Sequence, residues 1–307
     1  MHDIDHDGPG VQVVDGPRVI FREVADTPGD AGVEMLGGVD LPVRMHRGSV
    51  RSDVFAVTHV MYDGWDGCQE DLADMKYVYR VAFRLGQSLG IDSLDRPYTL
   101  EYPDGKVPED SGVSAVWLFP GGHMTIHTFD KKKFVFVDVS MMNHTGDDVL
   151  VAVRNAMRVG FDTQKDEAFL RGSNKVHHPH EVSTAFGPHL TFRGQLSREQ
   201  MSMDWFYEFL EVVPREIGMT PISTPTVIKP QRVDGQRGWD GVAIIAESHI
   251  ALHADPNGHY YLDIFSCKAF DTDQFLNLVR SMGLQIDDSS IALTARGKNF
   301  PRDERHG

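Results

Sequence analysis

Residues 115–127 read AVWLFPGGHMTIH and residues 241–253 read GVAIIAESHIALH, and the two stretches align at an offset of 126. Each is an apolar run, a short turn and a second run carrying His at its first and fifth positions. Val137-Asp138-Val139 then lies over Leu262-Asp263-Ile264 at an offset of 125, so the second copy has lost one residue from the following loop. Working outward, alternation and helical spacing predict a strand over Val54–Val60, a helix over Gln69–Leu89, strands over Val113–Phe119 and Phe134–Val139, and a helix over Asp147–Met157. The same order recurs as a strand over Pro188–Phe192, a helix over Arg198–Glu216, strands over Val242–Ala246 and His259–Phe265, and a helix over Thr272–Met282. A period this long exceeds any solenoid repeat and points to duplication of a whole subunit. An antiparallel sheet with helices on one face must cover its other face, so two such halves predict an α+β fold, a four-layer αββα sandwich.

The expected organisation is an N-terminal extension (1–50), a first repeat (51–158), a linker (159–187), a second repeat (188–295) and a C-terminal tail (296–307). The extension is rich in Asp, Gly and Pro, with short strands expected around Gln12–Val14 and Val19–Val24. Its Asp3-x-Asp5-x-Asp7-Gly8 copies the opening of a calcium loop, but Val14 stands where a bidentate Glu is required, so a solvated acidic tail is the reading. The linker's His177-His178-Pro179-His180 has no acidic or thiol ligand at a supporting spacing and reads as polar linker; no metal is expected.

At 41% hydrophobic and 24% charged, the 307 residues have the composition of a globular protein with a full core. Thirty Lys and Arg against 45 Asp and Glu leave a net charge of −15, a field that repels phosphate backbones and anionic lipid. Nucleic acid and membranes are therefore excluded as expected partners, and a small-molecule substrate is expected. Two cysteines, Cys68 and Cys267, are too few for a disulfide framework or a four-ligand zinc site, and a cytoplasmic setting fits best. Apolar runs such as Val113–Phe119 are far shorter than a membrane span needs.

Glu247-Ser248-His249-x-x-x-His253 followed by Tyr261-Leu-Asp263-Ile-Phe-Ser-Cys267 resembles the self-processing segment of the S-adenosylmethionine decarboxylases. The resemblance spans roughly Val54–Met157 and Pro188–Met282. It implies cleavage of the Glu247–Ser248 bond and conversion of Ser248 into a pyruvoyl group, a carbonyl electron sink carried by the protein. The residue types suit that chemistry. A Ser hydroxyl in a strained turn can attack the preceding carbonyl if a donor stabilises the oxyanion. A His can then remove the Ser α-proton, and a thiol can return a proton to the decarboxylated product.

The two copies differ in a way that implies one site. The first has Gly122 where the second has Ser248, and Met142 where the second has Cys267. It keeps Ser114, matching the family's processing Ser, where the second copy has Asp240; both keep the turn His, as His127 and His253. Family dimers pair the pyruvoyl Ser and Cys of one subunit with the processing Ser and His of the other. The resemblance therefore implies a composite site within an intramolecular pseudo-dimer, for which a monomer suffices: Ser248 as pyruvoyl precursor, Cys267 as proton donor, His127 as elimination base, Ser114 as processing helper, and His253 as the second turn His. Cys68 has no counterpart in the motif and reads as a core or surface residue.

Substrate binding is where the chain departs from the family. The Glu that holds ribose hydroxyls four residues beyond the turn His is replaced by Lys131 and Asn257, with Asp130 one position away from that place. The acidic first strand is kept as His59-Val-Met-Tyr-Asp63 but becomes His189-Leu-Thr-Phe-Arg193 in the second half, where Arg193 suits a substrate carboxylate or a buried acid. Asp63, Asp130 and Arg193 are thus the candidate substrate contacts. Three functions stay open on these grounds: decarboxylation of S-adenosylmethionine for spermidine synthesis, decarboxylation of arginine, ornithine or another amino acid, and a non-catalytic partner that activates a related enzyme.

Overall fold

Along most strands, successive residues are buried on opposite sides, one set against helices and the other against a second sheet. In the computed structural model, which describes residues 57–91, 96–102, 111–142, 146–171, 187–229, 238–246, 248–267 and 269–301, this double burial organises both sheets. The first half runs β1 (Val57–Trp65), α1 (Gln69–Ala73), α2 (Met75–Ser88), β2 (Tyr98–Tyr102), β3 (Gly112–Phe119), β4 (Gly122–Phe129), β5 (Phe134–Met142), α3 (Gly146–Phe161) and β6 (Lys165–Arg171). The second runs β7 (Gly187–Gln195), α4 (Met203–Glu216), β8 (Thr226–Ile228), β9 (Trp239–Ile245), β10 (Ser248–Ala254), β11 (His259–Ser266), α5 (Thr272–Ser281), β12 (Gln285–Ile286) and β13 (Ala292–Arg296).

The first sheet has the order β2-β3-β4-β5-β1-β6 and the second β12-β7-β11-β10-β9-β8, with β13 also on β7; every pairing is antiparallel. The shared cores β3-β4-β5-β1 and β9-β10-β11-β7 are the duplication made visible. Val60, Tyr62, Met124, Ile126, Val135, Val137 and Val139 pack with α1–α3 residues in one core, and Leu190, Phe192, Ile250, Leu252, Leu262 and Ile264 pack with α4 and α5 in another. The alternate residues face the opposite sheet. At one end this interface is apolar, with Val116, Leu118, Val242, Ile244 and Ala251 in contact. At another it is aromatic, with Phe129, Phe134, Phe136, Phe265 and Phe300. Between them lies a buried polar layer. The expected four-layer αββα sandwich is the observed fold.

Local differences have local causes. The helix expected over Gln69–Leu89 is two helices, because Asp74 takes an extended conformation and its carboxylate accepts from the Lys76 and Tyr77 amides at 2.8 and 3.2 Å, capping α2. The segment 159–187, expected as a linker, contributes β6, which extends the sheet along β1. Arg296, expected to open a tail, instead ends β13 and is fully buried. The expectations for Gln12–Val14, Val19–Val24, the Asp3–Gly8 motif and His177–His180 lie outside the described residues.

Candidate active site

Cross-strand pairing explains why four of the expected residues meet. Ser114 on β3 stands opposite His127 on β4, and Ser248 on β10 stands opposite Ser266 on β11, immediately before Cys267. The two pairs belong to different halves, and the facing of the sheets brings them to one small cleft. Ser114, His127, Ser248 and Cys267 all line it, together with Phe136 and Phe265.

Ser248 has a φ of 152°, a region of backbone space that is essentially reserved for glycine and costs on the order of 1–3 kcal/mol. Neighbouring strand residues ordinarily point to opposite faces. Here Ser248 and His249 instead lie side by side, with Ser248 Oγ 3.2 Å from His249 Nδ1. Nε2 of His249 in turn lies 3.1 Å from Asp263 Oδ2. Burial opposes ionisation of Asp263, but the surrounding imidazoles of His123, His189 and His249 hold its carboxyl well below the usual range. An ionised carboxylate only accepts, so His249 carries its proton on Nε2 and turns the Nδ1 lone pair toward the Ser248 hydroxyl. Ser248, His249 and Asp263 thus form a nucleophile–base–carboxylate line.

The first half approaches the same lone pair. Ser114 Oγ is 2.9 Å from His127 Nδ1, and His127 Nε2 is 3.3 Å from His249 Nδ1. The order of donors follows: the Ser114 hydroxyl donates to His127, whose Nε2–H points at His249. Burial pushes the His127 pKa down to about 3, so the ring is neutral at physiological pH. Gly122, the counterpart of Ser248, has no room for a side chain: a Cβ there would lie 2.1 Å from the Ser140 carbonyl oxygen. The first copy is closed to a serine sterically as well as lacking one.

The remaining expected residues lie elsewhere. Asp63 is 1% exposed and is consumed by a structural pair, accepting from Arg296 Nε and the Gly297 amide, both at 2.8 Å. Arg193 sits on the surface with its Nε 3.4 Å from Asp287; the cation that answers the buried acids is Arg296. Asp130 lies in the β4–β5 turn, where its carbonyl accepts from the Lys133 amide, and does not line the cleft. His253 bonds Asp240 and His123, away from Ser248. Glu247 lies outside the described residues. Cys68 is partly exposed and its Sγ lies 3.3 Å from Glu70 Oε2.

Three buried residues, His249, Asp263 and Arg296, are not among the expected site residues. His249 and Asp263 sit inside the recognised motif, and their signal is the recurrence of His and Asp at alternating positions of otherwise apolar strands. Arg296 has no motif signal. It donates to Asp63 through Nε, to Asp138 through NH1 at 2.6 and 2.8 Å, and to the Tyr62 and Val137 carbonyls through NH2. Its guanidinium also lies 4.2 Å from the Phe265 ring centroid.

The buried histidines make stability pH-dependent. Burial pushes His189 down to about 4, as it does His127 to about 3, whereas an unfolded His titrates near 6.5. Below that pH the unfolded chain takes up protons the folded chain refuses, so stability falls with acidification, by about 1.4 kcal/mol per pH unit for each ring. Denaturant midpoints should drop steadily from pH 6.5 to 5 and stay nearly level above pH 7.5. A midpoint unchanged across the acid range would contradict neutral burial of these rings.

Two duplicated, helix-backed sheets packed face to face define an αββα sandwich. The chain belongs to the S-adenosylmethionine decarboxylase family, whose pattern it matches over residues 58–165 and 201–297, more than half its length. Among solved structures, the adenosylmethionine decarboxylase of Aquifex aeolicus VF5 is similar at 10% identity, over 41% of this chain and 96% of that one, with a TM-score of 0.33. A putative glycine cleavage system transcriptional repressor is similar at 11% identity, over 79% of this chain and 99% of that one, with a TM-score of 0.18. No curated protein matches the sequence. Among the described residues no helix is long and apolar enough to cross a membrane.

Proposed function

We propose that this chain is a self-processing, pyruvoyl-dependent decarboxylase of S-adenosylmethionine, acting in polyamine synthesis and completing its site within a single chain. The observation that carries the reading is the strained backbone at Ser248, which sets its hydroxyl against the His249–Asp263 pair beside Cys267.

In the first step His249 takes the Ser248 hydroxyl proton, with Asp263 stabilising the imidazolium, and Oγ attacks the Glu247 carbonyl carbon. The C–N bond breaks, the Ser248 nitrogen gains the proton, and the amide becomes an ester. His127, neutral and lining the same cleft, is assigned removal of the Ser248 α-proton after its own proton moves to Nδ1, where the Ser114 oxygen can accept it, which frees the Nε2 lone pair on the side of His249 and Ser248. The Glu247 carboxylate then leaves, and water replaces the freed nitrogen as ammonia, giving a ketone at residue 248. The strain at Ser248 is relieved once its link to Glu247 opens, which lowers the barrier to cleavage relative to a relaxed strand.

The ketone supplies the electron sink that lets a bound substrate lose its carboxyl group. Cys267, partly buried against the aromatic cluster, is assigned the proton that the product carbon requires. Phe136 and Phe265 supply apolar walls to the cleft. Cys267→Ala should therefore still cleave but lose decarboxylation by about 10²-fold or more. Gel analysis alongside release of labelled carbon dioxide from carboxyl-labelled S-adenosylmethionine checks both halves of that statement. Equal turnover by the variant would remove Cys267 from the mechanism, and release from arginine or ornithine alone would overturn the substrate.

A further inference from the structure

The chain continues past β13 as a short strap. It turns at Gly297, whose φ of 68° permits the bend, and the Phe300 amide donates back to the Gly297 carbonyl at 3.0 Å. Both ends of the strap are tied to the first half. The Gly297 amide donates to Asp63 Oδ2 at 2.8 Å, and Lys132 Nζ, from the β4–β5 turn, donates to the Pro301 carbonyl at 2.9 Å. The Lys132 ammonium also lies 4.9 Å from the Phe300 ring centroid, a cation–π contact that closes the strap over the ring.

The strap delivers one side chain. Phe300 is 5% exposed and fits among three rings of the first half: Phe129 edge-on at 5.1 Å, Phe134 at 5.1 Å and Phe136 closer to parallel at 5.8 Å. Phe129 and Phe136 line the cleft beside Ser114, His127, Ser248 and Cys267, whereas Phe300 backs them. Phe136 in turn meets Phe265 at 5.0 Å, and Cys267 packs against the same cluster.

The pseudo-twofold relation between the halves separates what the fold requires from what the cleft requires. Phe129, Phe134 and Phe136 correspond to Asp255, His259 and Tyr261, and Phe265 corresponds to Ser140. At that end His259 Nδ1 lies 3.0 Å from Asp255 Oδ2, and the Tyr261 hydroxyl lies 2.8 Å from His59 Nδ1. Equivalent strands therefore close without a nest of phenyl rings. The nest stands at the end of the interface that carries Ser248.

We propose that Phe300 is a positioning residue for substrate: by filling the space behind Phe129 and Phe136, it fixes the wall against which the processed enzyme holds its substrate. The inference rests on the decarboxylase reading of the cleft. Close-packed rings keep one arrangement, and removing the ring behind them leaves a cavity into which they relax. The cleft surface then moves while Ser248, His249 and Asp263 stay as they are. Substrate and transition state lose the same contact, so KM rises and kcat is largely kept.

Phe300→Ala should divide between residues 247 and 248 as the wild type does. Its KM for S-adenosylmethionine should rise about tenfold with kcat within about threefold, and Phe300→Leu should recover most of the difference. Phe275→Leu, in the core between α5 and the second sheet, is a destabilised control whose KM should match the wild type. A second arm needs no turnover. In a Cys68→Ser background Cys267 is the single thiol, and N-ethylmaleimide should alkylate it faster in Phe300→Ala than in either the parent or Phe275→Leu. A wild type that neither cleaves nor releases carbon dioxide overturns the decarboxylase reading, and the thiol arm then still decides whether Phe300 sets the wall. An unchanged KM in Phe300→Ala, an equal rise in Phe275→Leu, or an unchanged thiol rate would overturn the role given to Phe300.

Discussion

Ser248→Ala should remain a single uncut chain under conditions in which the wild type is fully divided, and it should release no carbon dioxide from S-adenosylmethionine. The loss is expected to be complete because the reaction has no second nucleophile: Gly122 occupies the matching position, and a side chain there would collide with the Ser140 carbonyl. His249→Gln should come close to the same result. It removes the acceptor 3.2 Å from Ser248 Oγ, and members of a nucleophile–base unit fail together, each single loss costing almost as much as removing all. His127→Gln separates the steps: ester formation proceeds while elimination slows, so hydroxylamine should trap the ester and cut the chain without leaving a ketone. If Ser248→Ala is cut between residues 247 and 248 as the wild type is, cleavage is the work of a contaminating protease.

The second large effect concerns stability. Arg296→Met should destabilise the fold by about 3–5 kcal/mol, because it leaves Asp63 and Asp138 buried without their shared cation. The guanidinium comes from the last strand of the second half and ends among carbonyls and carboxylates of the first, so its loss also loosens the joint between the sheets. Combining Arg296→Met with Asp63→Asn and Asp138→Asn should restore most of the loss, since an apolar or neutral replacement of an entire buried ion cluster is often close to neutral. Urea titrations of the single and combined variants give the comparison. A single variant as stable as wild type would mean that Arg296 is not the compensating charge.

The fold is legible in the sequence largely because it is duplicated. Residues 115–127 and 241–253 align, and that alignment makes one pattern evidence for two sheets, each needing a cover that the other provides. Ser114, His127, Ser248 and Cys267 can be assigned to one cleft for the same reason: what one copy lacks the other retains. The polar layer is harder to read. His59, His123, His189 and His249 each lie in strands buried on both faces, where a lone His looks like any satisfied core residue until the opposing sheet is in place. Arg193 and Asp63 mislead because a charge on a strand does not say whether its partner is a ligand or another side chain; Asp63 meets Arg296 across 233 positions of sequence. Arg296 lies on β13, which sits on β7 as β6 sits on β1, but the two strands share no residue pattern that aligns them, so its role emerges only from the packing. The break at Asp74 is a capping effect that helical periodicity, continuous on either side, does not register.

Intact mass spectrometry of the purified wild-type chain tests the central claim most directly. The account predicts two polypeptides, one ending at Glu247 and one beginning at residue 248 with a blocked terminus, the latter lighter by one ammonia than simple hydrolysis would leave. A single species of full length, or a second fragment with a free amino-terminal serine, would contradict it.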